Sequence, residues 1–371
     1  MKDYLRHGLD LVNNKGESYR SASRIVKDMY DMPETTDAIR RRLSRTNKKL
    51  KNPLIHEKCE EIGIDINNVS SYWYKGKHFS IFSKNSSKPT YEDLRDEIIS
   101  DMKEYAPSYP KIKREKVRNG HLLVVDPADV HIGKLAKAIE GEEYNTSIAV
   151  KRVKEGVQGL LDKSVGFNID QILFIGGNDI LHIDNPKRTT TSGTPQDTDG
   201  MWYEAFLSAK QLYIECIEML LAVAPVHFTF NPSNHDYMSG FMLADVISSW
   251  FRNCEDITFD TSIRHRKYYT YGSNLIATSH GDSAKHSDLP LLMAHEAKED
   301  WAKTDHRYVY VHHVHHKISK DYIGVTCESL RSPSGSDSWH SRKGYIGSPK
   351  AVEGFIHHKE HGQCARLTHL F

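Results

Sequence analysis

The stretch His121-Leu122-Leu123-Val124-Val125-Asp126-Pro127-Ala128-Asp129-Val130-His131 decides how the chain reads. Its first five residues are a short run rich in Val and Leu, the composition of a buried strand, which ends before Pro127. Asp129 and His131 follow just past the carboxyl end, where open α/β sheets present their ligands. A carboxylate and an imidazole two residues apart on an extended backbone lie on one side and both reach one metal ion. Alone, Asp-x-His is a weak signal.

The arrangement recurs downstream. Gln171 to Ile175 is a strand-like run that ends in Gly176-Gly177-Asn178-Asp179, and Val226 to Phe230 leads into Asn234-His235-Asp236. Asn274 to Ser279 opens onto His280-Gly281-Asp282, and Arg307 to Val311 delivers His312-His313-Val314-His315-His316. Helical spacing of apolar residues separates these runs, over Ser147 to Leu161, Met201 to Val223, Gly240 to Asn253 and Leu289 to Trp301. Alternating strands and helices predict an α/β domain. Asp184 to Gly200 is a long Thr-rich loop, a length usually functional or mobile. Each strand end by itself reads more readily as an ordinary polar turn, but five in one chain argue for a common site. Oxygen and imidazole donors without thiolates suit manganese, iron or zinc.

In order, Asp-x-His, Gly-Asn-Asp, Asn-His-Asp, a His before Gly-Asp, and His-x-His resemble the calcineurin-like metallophosphoesterases over Leu122 to Lys317. The resemblance implies a four-layer α/β/β/α sandwich with two divalent metals at the strand ends, manganese first, with iron, zinc or magnesium as alternatives. Carried over, Asp129, His131 and His315 hold one metal, Asn234, His280 and His313 the other, and Asp179 bridges them. Asp184 is the fallback for the bridge, and His312 and His316 compete with His313 and His315. The family's chemistry is in-line attack by a metal-activated water at phosphorus. His235 then serves as proton donor or transition-state stabiliser, with Asp236 orienting it.

The Asp-Arg-Gly and Asn-His-Glu of protein phosphatases are missing. Asp179-Ile180-Leu181-His182 instead resembles the DNA double-strand-break repair nucleases and phage-encoded exonuclease-type members. His182 is a second catalytic or positioning candidate, or a support for the metal shell. That resemblance favours a DNA substrate and leaves room for an ATPase partner subunit. A small-substrate phosphoesterase, acting on a nucleotide or cyclic nucleotide, and a non-catalytic DNA-binding protein are the alternatives.

Residues 1–52 read as a helix-turn-helix-like accessory domain. Ala22, Ile25, Val26 and Met29 share one face of a first helix, and Met32-Pro33 breaks it. Thr35 or Thr36 caps a second, whose apolar side is Ile39 and Leu43, with Arg40, Arg41, Arg42 and Arg45 around the rest. An Arg-rich second helix suits docking on phosphates, or simply keeps a small domain soluble. Residues 53–118 hold a helix over Leu54 to Gly63, a hairpin turning at Gly76, a charged helix over Tyr91 to Tyr105 and a linker after Ala106. The hairpin's aromatics fit the core of a small sheet better than base stacking. Residues 119–371 form the metallophosphoesterase domain. Near its end Trp339, Arg342, Lys343 and Tyr345 combine stacking surface and charge, either lining a nucleic-acid channel or closing a β-hairpin.

Composition sets the outer bounds. With Lys+Arg 50 against Asp+Glu 49, the net charge of +1 argues neither for nor against a polyanionic partner. Five scattered cysteines with no Cys-x-x-Cys pair fit a reducing compartment and give no thiolate zinc site. The N-terminus lacks a signal peptide's apolar core, and Leu212 to Val226 contains Glu215, Glu218 and Pro225 and is too short to span a bilayer. The expectation is a cytoplasmic protein of a bacterial or phage-infected cell, without a membrane partner.

Overall fold

Strand β3 (His121–Asp126) shows how the main domain is layered. Leu122 and Val124 face one core, Leu123 and Val125 another, and all four are fully buried. A strand covered on both faces gains nothing from polar alternation, which is why its sequence is a continuous apolar run. The same two-sided burial governs β4 (Ile169–Gly177), where Ile172 and Phe174 join the first core and Leu173 and Ile175 the second.

The computed structural model describes residues 2–51, 71–75, 80–84, 107–114, 117, 119–137, 142–337, 341–342 and 347–371. The chain divides into two compact units, Met1–Ile99 and Ser100–Phe371. In the second, β3 and β4 belong to a six-stranded sheet of order β13-β12-β3-β4-β5-β6, with β5 at Val226–Asn231, β6 at Ile257–Asp260, β12 at Ala351–His358 and β13 at Gly362–Leu370. Strands β3 to β6 run parallel, and β12 lies antiparallel to β3. A five-stranded sheet of order β10-β11-β9-β8-β7 faces it, built from β7 (Arg266–Tyr271), β8 (Asn274–Ser279), β9 (His306–Val311), β10 (Ile318–Tyr322) and β11 (Val325–Ser329).

Helices α4 (Thr146–Lys163), α5 (Trp202–Leu221) and α6 (Tyr237–Trp250) cover the outer face of the first sheet. Helices α7 (Leu289–Glu296) and α8 (Lys298–Lys303) accompany the second. Leu122, Val124, Ile276, Tyr310 and Phe355 fill the space between the sheets. The result is the expected four-layer sandwich. Helix α6 starts at Tyr237 rather than Gly240, and the helix expected over Leu289 to Trp301 is two, because Ala297 leaves helical geometry at φ −112 and ψ 45. The stretch read as a linker is docked: Tyr109 stacks on Phe251 at 5.0 Å, and Arg114 pairs with Asp256 at 2.9 Å.

Among the described residues the first unit contains three helices, α1 (Asp3–Asn13), α2 (Tyr19–Met29) and α3 (Thr36–Lys51), where the sequence reading has two over residues 1–52. Ala22, Val26, Ile39 and Leu43 form its core with Leu9 and Leu11 of the unanticipated α1. Strands β1 (Ser71–Lys75) and β2 (Ser80–Lys84) pair antiparallel, with Lys75 opposite Ser80, as the hairpin reading expects. The helices expected at 54–63 and 91–105 lie outside the described residues. Among the described residues no helix is long and apolar enough to cross a membrane.

Candidate active site

Beyond the strand ends the backbone makes an unusual turn. Asp129, His131, Asn178, Asp179, His313 and His315 all have positive φ, between 51° and 72°, and they are six of the nine non-glycine residues that do so among the described residues. Each such residue costs about 1–3 kcal/mol and survives only where its surroundings hold it. Here the surroundings are hydrogen bonds that continue the β3–β4 pairing past the strands. Asp129 N–H donates to Asn178 O, His131 N–H to Asp179 O and Ile132 N–H to Ile180 O, each at 2.8 Å. Ser332 Oγ donates to Asp129 O and the Tyr144 hydroxyl to Val130 O, both at 2.6 Å. Gly177, at φ 78°, sits where a Cβ would fall 2.2 Å from Asn231 O, so this turn requires glycine.

The turns bring together all seven residues expected to hold metal. Donor atoms of Asp129, His131 and His315 lie within 4.8 Å of one another, as do those of Asp179, His280 and His313. Asn234 Oδ1 joins the second group, 2.8 Å from His280 Nε2. Asp179 Oδ2 lies 3.2 Å from His280 Nε2 and 4.0 Å from His131 Nε2, a position between the groups. Two donors each about 2.1 Å from one ion and about 100° apart are about 3.2 Å from each other. His131 Nε2 and His315 Nε2 are 3.3 Å apart, and so are His280 Nε2 and His313 Nδ1, so the spacing fits divalent cations. The donors are imidazole, carboxylate and amide oxygen, a set matching manganese, iron or zinc.

Surrounding groups decide the open alternatives. His312 is fully buried, with Nε2 2.9 Å from Asp126 Oδ2 and Nδ1 3.2 Å from Ser279 O, so both ring nitrogens are engaged away from the clusters. His316 is exposed, its Nδ1 donating to Val314 O. Asp184, the fallback bridge, instead caps α6: its carboxylate accepts from Met238 N, Ser239 N, Ser239 Oγ and Thr191 Oγ1. Asp236 does not orient His235. Its carboxylate accepts from Leu181 N and Ser233 Oγ, and Ser233 Oγ in turn accepts from Asp179 N. The His182 carbonyl holds His235 instead, accepting from Nδ1 at 2.9 Å and leaving Nε2 for the site. The His182 ring lies behind His131, Nδ1 to Nδ1 3.4 Å, and stacks on His235 at 5.3 Å.

Burial, reinforced by the neighbouring imidazoles, pushes His131 and His182 well below the ordinary histidine range, which keeps them neutral. Burial acts on His280 in the same sense, but Asp179 and Asp129 outweigh it and raise the ring to about 9. Burial also raises Asp129 to about 7, opposed by His280, whereas His280 and His235 overcome burial at Asp179 and hold it below the usual carboxylate range.

The expected nucleic-acid contacts fare differently. Arg40 and Arg41 reach Asp37 at 3.3 and 3.7 Å, and Arg42 is engaged by the Tyr4 hydroxyl and Glu34 inside the first unit. Arg45 is exposed. Trp339, Lys343 and Tyr345 lie outside the described residues.

A cavity of about 950 Å³ opens over the clusters, lined by His131, Asp179, His182, Asn234, His235, His313 and His315. The Thr-rich loop forms part of its wall and is stitched to the site through Asp199 N to Gly133 O at 2.8 Å and Thr191 N to Asn234 O at 3.1 Å. Lys134, Ser332 and Ser233 had no motif to mark them. Asp126 alone carried a signal, an acid at the end of an apolar strand.

No family model and no curated protein matches the chain. Among solved structures it is similar to Vps29 of Chaetomium thermophilum, at 11% identity and a TM-score of 0.31, covering 67% of this chain and 98% of that one. An archaeal phosphodiesterase gives 8% identity, 68% and 99% coverage and a TM-score of 0.31. A predicted phosphoesterase of Streptococcus pneumoniae gives 12%, 68% and 98%, with a TM-score of 0.25. Likenesses this distant lend no weight to the site, whose reading rests on its own side chains.

Proposed function

We propose that the chain is a two-metal-dependent phosphodiesterase acting on DNA. The supporting observation is the convergence of seven donor residues from five strand ends into two adjoining clusters with Asp179 between them. Asp129, His131 and His315 would hold one cation and Asn234, His280 and His313 the other, with manganese the first candidate. Bound there, the pair would supply Lewis acidity and a water nucleophile for displacement at phosphorus.

The chain's own residues supply the rest. His235, its Nδ1 fixed by the His182 carbonyl, presents Nε2 to the cavity as the atom that delivers a proton to the leaving oxygen or steadies the transition-state charge. His182 positions His235 through that carbonyl and backs His131 through its ring. Asp236, through Ser233, holds the Asp179 backbone in its left-handed turn.

Purified protein with manganese, assayed on labelled single- and double-stranded DNA and on bis(p-nitrophenyl) phosphate, tests the reading. Hydrolysis of DNA supports it. Activity on the small ester alone selects a small-substrate phosphoesterase, and activity on neither with tight DNA binding selects a non-catalytic role.

A further inference from the structure

The cavity wall carries positive charge that the proposed chemistry does not use. Strand β12 runs antiparallel to β3, with Glu353 opposite Asp126, so Lys350, just before β12, lies beside the carboxyl end of β3. Lys134, three residues past His131, lines the same cavity with Lys350. Two acids stand near this basic group, and each already has a partner. Glu142 pairs with Arg152, and Asp337 pairs with Lys134 Nζ at 2.9 Å. Lys350 Nζ is left with the Ser336 hydroxyl at 3.2 Å and no carboxylate in ion-pair range among the described residues. Burial, with Lys134 and Arg152 nearby, depresses its ammonium below the usual lysine range. A half-buried ammonium satisfied only by a hydroxyl gains more from an anion than an exposed one does.

We propose that Lys350, with the Lys134–Asp337 pair beside it, is a subsite for the phosphate next to the scissile one in a polynucleotide. This rests on the phosphodiesterase reading and narrows its substrate class. The subsite favours substrates with at least two successive phosphates over single phosphodiesters. Ser336 and Ser348, on the same wall, offer hydroxyls to the same phosphate.

The test compares the thymidine dinucleotide, with one phosphodiester, and the trinucleotide, with two, using full-length protein and manganese. A charge-assisted contact predicts a kcat/KM per bond about tenfold or more higher for the trinucleotide, expressed in KM. Lys350→Met should bring the ratio close to one, and Lys350→Arg should restore most of it. Because the readout is a ratio within one protein, a general loss of folded enzyme cancels. Equal rates on the two substrates in the unaltered protein, or a preference that survives Lys350→Met, overturn the subsite while leaving the phosphodiesterase reading intact. Turnover of neither, nor of bis(p-nitrophenyl) phosphate, overturns that reading and the subsite with it.

Discussion

Four histidines crowd the segment after β9, and replacing His312 tests the division of labour among them. The His312 ring is fully buried with Nε2 2.9 Å from the equally buried Asp126 carboxylate, whose pKa burial raises and His312 opposes. His312→Ala strands that carboxylate, and breaking a buried pair from one side costs about 3–5 kcal/mol. For a unit of this size about 1 kcal/mol shifts Tm by about 2–4 °C, so the melting point should fall by about 10 °C. The damage should also reach the clusters, because the next residue, His313, donates its N–H to both Asp129 oxygens at 3.0 and 3.2 Å. Metal affinity should drop about tenfold or more, the usual effect of losing a supporting group. His316→Ala removes an exposed ring and should stay within about 0.5 kcal/mol of the parent with metal binding intact. Differential scanning calorimetry and isothermal titration with manganese read both quantities. In an Asp126→Asn background, His312→Ala should cost less, which separates the lost pair from lost packing. Should His312→Ala melt with the parent, or His316→Ala lose metal, the assignment of the four rings is wrong.

Other expectations follow from the same geometry. His235→Ala should retain both metals yet lose about 10²–10⁴ in turnover; undiminished kcat removes His235 from the chemistry. Asp179→Asn should weaken both sites together, and a titration that finds two intact sites contradicts its bridging position. The metal-free His280 ring, raised from 6.5 to about 9, gives the apo protein stability that is full below about pH 6.5 and fades as pH rises through about 9. Metal binding displaces that proton, so affinity should climb with pH up to about 9; flat affinity between pH 7 and 9, in buffers of different ionisation heat, counts against it. Gly177→Ala meets the Asn231 carbonyl at 2.2 Å in a left-handed conformation and should destabilise by more than about 1 kcal/mol in urea unfolding.

The strands that carry the site were legible because burial on both faces wrote them as apolar runs, as in β3, β4 and β8. Strand β12 was not, because Glu353, fully buried, is neutralised by Arg331 and Arg366 from elsewhere in the chain. Alternating Gln363, Ala365 and Leu367 gave β13 too weak a period to separate from loop. The metal-type residues were legible as ordered motifs, but their partners were not. That the His182 carbonyl, rather than Asp236, holds His235 depends on a crossing of two loops 53 residues apart in sequence. Likewise Arg42 of α3 read as free charge, because nothing local announces Tyr4 as its partner across 38 residues.

The left-handed turns at Asp129, His131, Asp179, His313 and His315 set the working residues against the interest of the fold. Glycine would relax every one of them and supply no donor. Were selection for chemistry lifted, glycines at these five places would relieve the backbone while removing a donor each time. Silenced descendants of such a chain should therefore carry their retirement as glycines at the strand ends, with the buried apolar runs before them untouched.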